Sequence, residues 1–165
     1  MLEALLDSWD RNNTILVNLL YAIPDGMLDA RVLAESQSIA EIYRHVHFTR
    51  LWLVSENAAE FGTNLPGDEA KTVEQDRGRM AERLNHSAKA VRDAVKSRVE
   101  AGQAMSAHYD HPLLMIQHLI WHEGYHHGQI KLALKAAGHA LDDEMVAGPI
   151  TWDVWMDKLE TRGRP

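Results

Sequence analysis

Residues 118–129 carry side chains that can bind a metal ion, at a spacing typical of one face of a helix. Five of the ten histidines lie within residues 111–127. At about 100° per residue, His118, His122 and His126 fall on one stripe, each about 6 Å along the helix from the previous one. The same stripe holds the apolar residues Met115, Leu119 and Ala133. We therefore expect the three imidazoles to point toward a core.

The opposite face of this helix is expected to point toward water, since it carries Gln117, His127, Lys131 and Lys135. A buried imidazole needs a partner, because an unpaired polar group in a protein interior is costly. A bound metal ion would satisfy several rings at once. Hydrogen bonds to the backbone or to water are the alternative, and the spacing of two histidines does not decide between them.

A second helix supplies one more histidine on an inward stripe. Ser38 and Glu41 form a capping-box pattern, which predicts a helix from there to about residue 59. Its predicted buried side consists of Ile42, His45, Val46, Thr49, Trp52 and Leu53. His47 lies about 200° from His45 and is expected to face outward.

Apolar residues at helical spacing predict two further long helices and one short helix. The first covers residues 2–20 and ends at the turn residues 24–26; another runs from a weak capping box at 72–75 to Gly102. The histidine-rich helix runs from Pro112 to Ala137, with Gly138 after it. After a loop at 139–149, Thr151 is expected to cap a short helix with the apolar stripe Trp152, Trp155, Met156 and Leu159.

These elements predict an all-α protein, a four-helix bundle with a short additional C-terminal helix. With 165 residues and no cysteine, the chain is expected to form one domain over residues 1–161, followed by a flexible tail at 162–165. A net charge of −7 without a basic block argues against nucleic-acid binding. Nowhere do 18 apolar residues run together, so we expect no membrane segment and a cytoplasmic location.

In a helical bundle, metal sites are built from inward side chains of facing helices. His122 and His126 lie one turn apart, and His45 is the best candidate for a third ligand from a neighbouring helix. Three protein ligands leave a coordination position open, as in catalytic sites. His118 lies about 12 Å along the axis from His126 and is not expected to bind the same ion.

The segment His122-Glu123-Gly124-Tyr125-His126 also matches H-E-x-x-H, the zinc-protease pattern in which the glutamate is the general base. The extended form of that motif needs Gly at 129 and His at 132, where this chain has Gln129 and Leu132. Glu123 is alternatively a half-exposed helix residue without a catalytic role. Gly124 is unusual inside a helix, and a close helix approach near the site would explain it.

Two segments together resemble the DinB/YfiT-like superfamily of metalloenzymes. Residues 38–46, SIAEIYRHV, look like its second-helix signature, and His122-x-x-x-His126-His127-Gly128-Gln129 looks like its fourth-helix signature. The resemblance implies an up-down-down-up bundle in which His45, His122 and His126 bind a divalent metal ion (Zn, Ni or Fe). The family usually has arginine where this chain has His127, which leaves any role of that arginine without a counterpart here.

The resemblance also implies frequent homodimers and, in some members, transfer of low-molecular-weight thiols. We therefore expect an enzyme that uses a metal-activated thiol or water to attack an electrophilic small molecule. Glu41, Glu123 and Gln129 are candidates for supporting the metal ligands. A non-catalytic, metal-binding stress-response protein is the alternative, and an H-E-x-x-H hydrolase is a weaker one. Trp152 and Trp155 offer apolar surface for a homodimer.

Overall fold

The computed structural model describes residues 1–62 and 73–157, and within these ranges it contains helices and no strand. Four long helices form a bundle: α1 (Leu2–Ala22), α2 (Ile39–Asn57), α3 (Arg77–Glu100) and α4 (Pro112–Ala136). Two short helices follow, α5 (Asp143–Met145) and α6 (Asp153–Met156), joined by the π-helical segment Val146–Trp152. The predicted all-α bundle with an additional C-terminal helix is confirmed. In the described ranges, no helix is long and apolar enough to cross a bilayer.

The ends of the two helices that carry the candidate ligands follow from local sequence. At the start of α2, the Ser38 hydroxyl accepts from the Glu41 amide at 3.2 Å and the Glu41 carboxylate accepts from the Ser38 amide at 2.6 Å, which is the predicted capping box. Helix α4 begins with Pro112 after the capping residue His111. It is followed by Gly138 with φ of 79°, a left-handed conformation that favours glycine.

The interior of the bundle consists of two apolar clusters separated by a polar layer. One cluster includes Leu16, Val46, Leu84 and Ile130, and the other includes Trp9, Leu53, Val91 and Leu119. Between them along the four helices lie buried polar residues: Asn12, Asn13, Arg50, Ser87 and Glu123. The polar layer therefore crosses all four long helices at the level of the candidate site.

Two helix starts differ from the sequence prediction. Helix α3 begins at Arg77, because the Asp76 carboxylate accepts from the Arg79 amide at 2.9 Å and caps the helix there. The predicted start at 72–75 is wrong for residues 73–75, and Thr72 lies outside the described residues. The predicted loop at 139–149 already contains α5, which Asp142 caps. Thr151 lies inside the π-helical segment and caps nothing, because the chain bends earlier, at Gly148.

The C-terminal helix packs on α1 with Val154 buried and its backbone bonded to Arg11, while its tryptophans stay exposed. Trp152 and Trp155 are 61% and 41% exposed, so neither belongs to the core of the chain. Arg11 is buried, and its guanidinium donates to the carbonyl oxygens of Val154 at 2.6 Å and Trp155 at 2.9 Å. It also donates to the carbonyl of Asp157 at 3.1 Å. Leu159 and the predicted tail at 162–165 lie outside the described residues.

Candidate metal centre

Three histidines from two helices converge at one point of the bundle. His45 comes from α2, and His122 and His126 lie one turn apart on α4. The Nε2 atom of His122 is 3.2 Å from Nε2 of His45 and 3.1 Å from Nε2 of His126. One nitrogen of each ring lies within 4.8 Å of the others, and these rings form a group able to hold a metal ion.

Two of the three distances between these nitrogens match those between ligands of a single ion. Imidazole nitrogens bind zinc at about 2.0–2.1 Å, so two ligands of a tetrahedral ion lie roughly 3.3 Å apart. The Nδ1 atom of His122 is buried and has no hydrogen-bond partner. Its Nε2 atom meets two other ring nitrogens instead of a carbonyl or carboxylate. Hydrogen bonds within the protein therefore leave the central ring poorly satisfied, and a shared cation would give the Nε2 atoms of all three rings a common partner.

The electrostatic setting keeps these rings neutral. Burial, reinforced by the neighbouring rings of His126 and His45, lowers the pKa of His122 to about 4. Burial also lowers the pKa of His45, and the nearby His126 adds to that effect. For His126, burial lowers the pKa although the hydrogen bond to Gln129 opposes it. Neutral imidazole is the form that binds a metal ion, so the site is prepared for ligation near neutral pH.

Gln129 fixes the orientation of one ring. Its Oε1 atom lies 2.7 Å from Nδ1 of His126, so that nitrogen carries the proton and donates, and Nε2 is left to face the cluster. The amide nitrogen of Gln129 donates to the Tyr125 hydroxyl at 2.8 Å. Glu41, the other residue considered for support, accepts from Ser38 and pairs with Arg31 at 2.9 Å.

Glu123 lies between two of the histidines in sequence but faces the polar layer of the bundle. Its side chain has no exposed surface, so the alternative of a half-exposed residue is wrong. Arg50 donates from Nε at 2.6 Å and from Nη2 at 2.7 Å to the two carboxylate oxygens, and the Asn12 amide donates at 2.6 Å. A carboxylate held by three donors is poorly suited to act as a general base.

The sequence prediction missed this network, since Arg50 and Glu123 are far apart in the chain. Arg50 Nη1 also donates to Asn13 Oδ1 and to the Leu84 carbonyl, both at 2.9 Å, so the network reaches α1 and α3. The available signal was weak: two adjacent asparagines within an apolar helix, and an arginine close to the inward stripe of α2.

Three other histidines differ from or refine the prediction. His118 is exposed and does not point into the core; its Nδ1 lies 2.8 Å from the Tyr109 hydroxyl, and it is not part of the cluster. His127 is half-buried instead of facing water, and burial lowers its pKa to about 4. His47 is buried, because α3 covers that side of α2 and brings His86 to 6.5 Å between ring centroids.

A cleft of about 380 Å³ opens beside the cluster. It lies between α2 and α4, and its walls are formed by His45, Phe48, Thr49, Trp52, Leu53, His118, Leu119 and His122. Because His45 and His122 line the cleft, the histidine cluster is accessible from it.

Gly124 faces open space: a Cβ added there would meet no atom within 4 Å, so the expected close helix approach is wrong.

The fold and the site together define an all-α bundle in which the second and fourth helices bring together three histidines that could hold a metal ion. The chain belongs to the DinB family, whose family model matches residues 1–144. The resemblance seen in the two sequence segments is thereby confirmed. No curated protein and no solved structure matches the chain.

Proposed function

We propose that this protein is a divalent-metal-dependent enzyme that transfers a thiol or water to an electrophilic small molecule, with His45, His122 and His126 as the metal ligands. The observation that carries the proposal is the convergence of three Nε2 atoms, with 3.1 and 3.2 Å between neighbours. When bound, a Zn, Ni or Fe ion would lower the pKa of a thiol or water molecule at its open position. The three neutral rings hold the ion, and Gln129 orients His126.

A catalytic role is favoured over a purely structural one by the donor set. Structural sites are closed by four protein ligands, whereas catalytic sites use three. Within residues 1–62 and 73–157, the cluster consists of three histidines without a fourth donor residue. The nearest acidic candidate in sequence, Glu123, is held by Arg50 and Asn12. The same contacts count against an H-E-x-x-H hydrolase.

The test begins with elemental analysis of the protein purified without an affinity tag. Protein loaded with the metal found is then mixed with a low-molecular-weight thiol and aryl or epoxide electrophiles. We expect conjugation only in the metal-loaded protein, while casein and peptides stay intact. Metal-dependent peptide cleavage that is lost in a Glu123→Gln variant shown by circular dichroism to remain folded would instead establish the hydrolase.

The proposal includes a homodimer. Several large apolar side chains are exposed on the chain, among them Trp121, Tyr125, Leu132, Trp152 and Met156. A second copy covering some of them would remove apolar area from water. Light scattering should give twice the chain mass of 18.7 kDa at micromolar concentrations. The mass of a single chain across that range would contradict the dimer.

A further inference from the structure

The cleft beside the histidine cluster is mainly apolar and has no acidic or strongly basic side chain among its described lining residues. Apolar side chains form most of the surface, and two large aromatic ones remain open to solvent: Phe48 is 42% and Trp52 is 39% exposed. A volume of about 380 Å³ falls in the range of small-molecule pockets, roughly 300–1,000 Å³.

Near the cleft, Asn57 at the end of α2 holds the connection between α3 and α4. The Asn57 side chain is buried, and its Oδ1 atom accepts from the His108 amide at 3.0 Å. Its backbone carbonyl accepts from the Ser106 amide, also at 3.0 Å. These bonds fix the connection between α3 and α4 against the end of α2.

This connection places aromatic rings around the mouth of the cleft. The His108 ring lies 5.9 Å from the Trp52 ring, centroid to centroid, with an angle of 37° between the planes. The Tyr109 hydroxyl and Nδ1 of His118 are 2.8 Å apart, and the His118 ring lies 6.3 Å from that of His122. A flat group that enters the cleft would therefore find ring faces and edges to pack against.

We infer that the cleft binds an uncharged aromatic group of the electrophilic substrate, packed on Trp52 and Phe48 with its reactive end toward His45 and His122. This inference rests on the proposed function and adds the class of substrate. A low-molecular-weight thiol that carries carboxylates would have no positively charged partner among the described lining residues. The apolar cleft consequently suits the electrophile and not the thiol.

The test uses metal-free protein, so that it does not depend on the metal site. The probe is 6-propionyl-2-dimethylaminonaphthalene, an uncharged aromatic dye whose emission shifts to the blue in an apolar site. We expect saturable binding to the wild type, about tenfold weaker binding to Trp52→Ala because a ring contact is lost, and no binding to Thr49→Arg, which fills the cleft with a charged side chain. Trp152→Ala is the matched control: it removes an exposed tryptophan outside the cleft lining and should bind as the wild type does.

Each other outcome decides the question. Dye binding that survives both Trp52→Ala and Thr49→Arg would overturn the inference, as would failure of the wild type to bind. Equal or tighter binding of the anionic dye 8-anilinonaphthalene-1-sulfonate would overturn the preference for an uncharged group. If the protein binds the dye in the expected pattern but binds no divalent metal, the cleft stands as an aromatic site and the proposed function falls.

Discussion

Helices α2 and α4 both contribute side chains to two polar clusters. The clusters differ in whether their hydrogen-bonding groups find partners within the protein. In the first, Arg50 and Glu123 are oppositely charged, and neither side chain has exposed surface. Donors and acceptors there are matched, since Asn12, Asn13 and the Leu84 carbonyl complete the network. In the second, three side chains of the same kind, His45, His122 and His126, point their nitrogens at one another.

The difference separates a structural cluster from a binding cluster. The Arg50–Glu123 network is complete without any added group, so it stabilises and orients the helices. The histidine cluster offers lone pairs from several rings to one point, an arrangement that a bound cation would stabilise. Removing one partner from the first should therefore destabilise the protein, and removing residues from the second should change what it binds.

The largest effect is expected from breaking the buried ion pair. Arg50→Met leaves the Glu123 carboxylate buried without its charge partner, and such changes cost about 3–5 kcal/mol of unfolding free energy. Urea denaturation followed by circular dichroism measures this loss. The double variant Arg50→Met/Glu123→Leu should recover much of it, because no unpaired charge remains. A loss below about 1 kcal/mol in the single variant would show that the network is not structural.

A smaller effect is expected at the histidine cluster, and only when metal is present. A ligand at 100 times its dissociation constant stabilises the folded state by about 2.7 kcal/mol. Zinc at that excess should raise the unfolding free energy of the wild type by this amount and leave His45→Ala, His122→Ala and His126→Ala almost unchanged. His47→Ala, His118→Ala and His127→Ala should keep the metal stoichiometry of the wild type. Occupancy that survives loss of His45 but disappears with His118 would contradict the site.

Acid should lower the folding stability of the metal-free protein by protonating the histidines of the cluster. Because burial lowers the pKa of His122 to about 4, the unfolded chain binds protons before the folded one as the pH falls from about 6.5. Stability is therefore present above that pH and is lost progressively toward pH 4. Denaturation of the wild type and of a variant with all three histidines replaced by alanine, across this range, measures the effect. The variant should keep only the smaller slope due to His47 and His127, whose pKa values burial also lowers to about 4. Equal slopes would mean that the cluster is not held neutral.

The smallest expected change stabilises α4 without touching either cluster. Gly124→Ala removes a residue of low helix propensity from an exposed position with open space around it, a gain of roughly 1 kcal/mol. Thermal unfolding should show the increase, while zinc affinity stays as in the wild type. A loss of zinc affinity in Gly124→Ala would show that the backbone between His122 and His126 is part of the site.

The sequence predicted the parts of the fold that depend on local signals. The Ser38–Glu41 capping box and the periodic apolar residues predict the long helices, and the inward stripes of two helices predict the grouping of His45, His122 and His126 that the structure contains. The helical wheel assigned one buried stripe to α2 and so misplaced His47, since α2 packs on both α3 and α4 and is buried over a wider arc. The Arg50–Glu123 pair depends on tertiary packing across 73 residues, which no local pattern encodes.

Arg11 of α1 bonds to the backbone near the end of the described residues. This contact determines whether the protein can be shortened to the residues that the family model matches. The family model ends at residue 144, yet an arginine well inside the matched part donates to backbone carbonyls at residues 154, 155 and 157. Trimming the chain to the matched residues would remove these three carbonyl partners and leave Arg11 with Asp7, to which its Nε donates at 2.6 Å. The described residues beyond the family match therefore pack on the bundle, and we expect a protein shortened to residue 144 to be less stable.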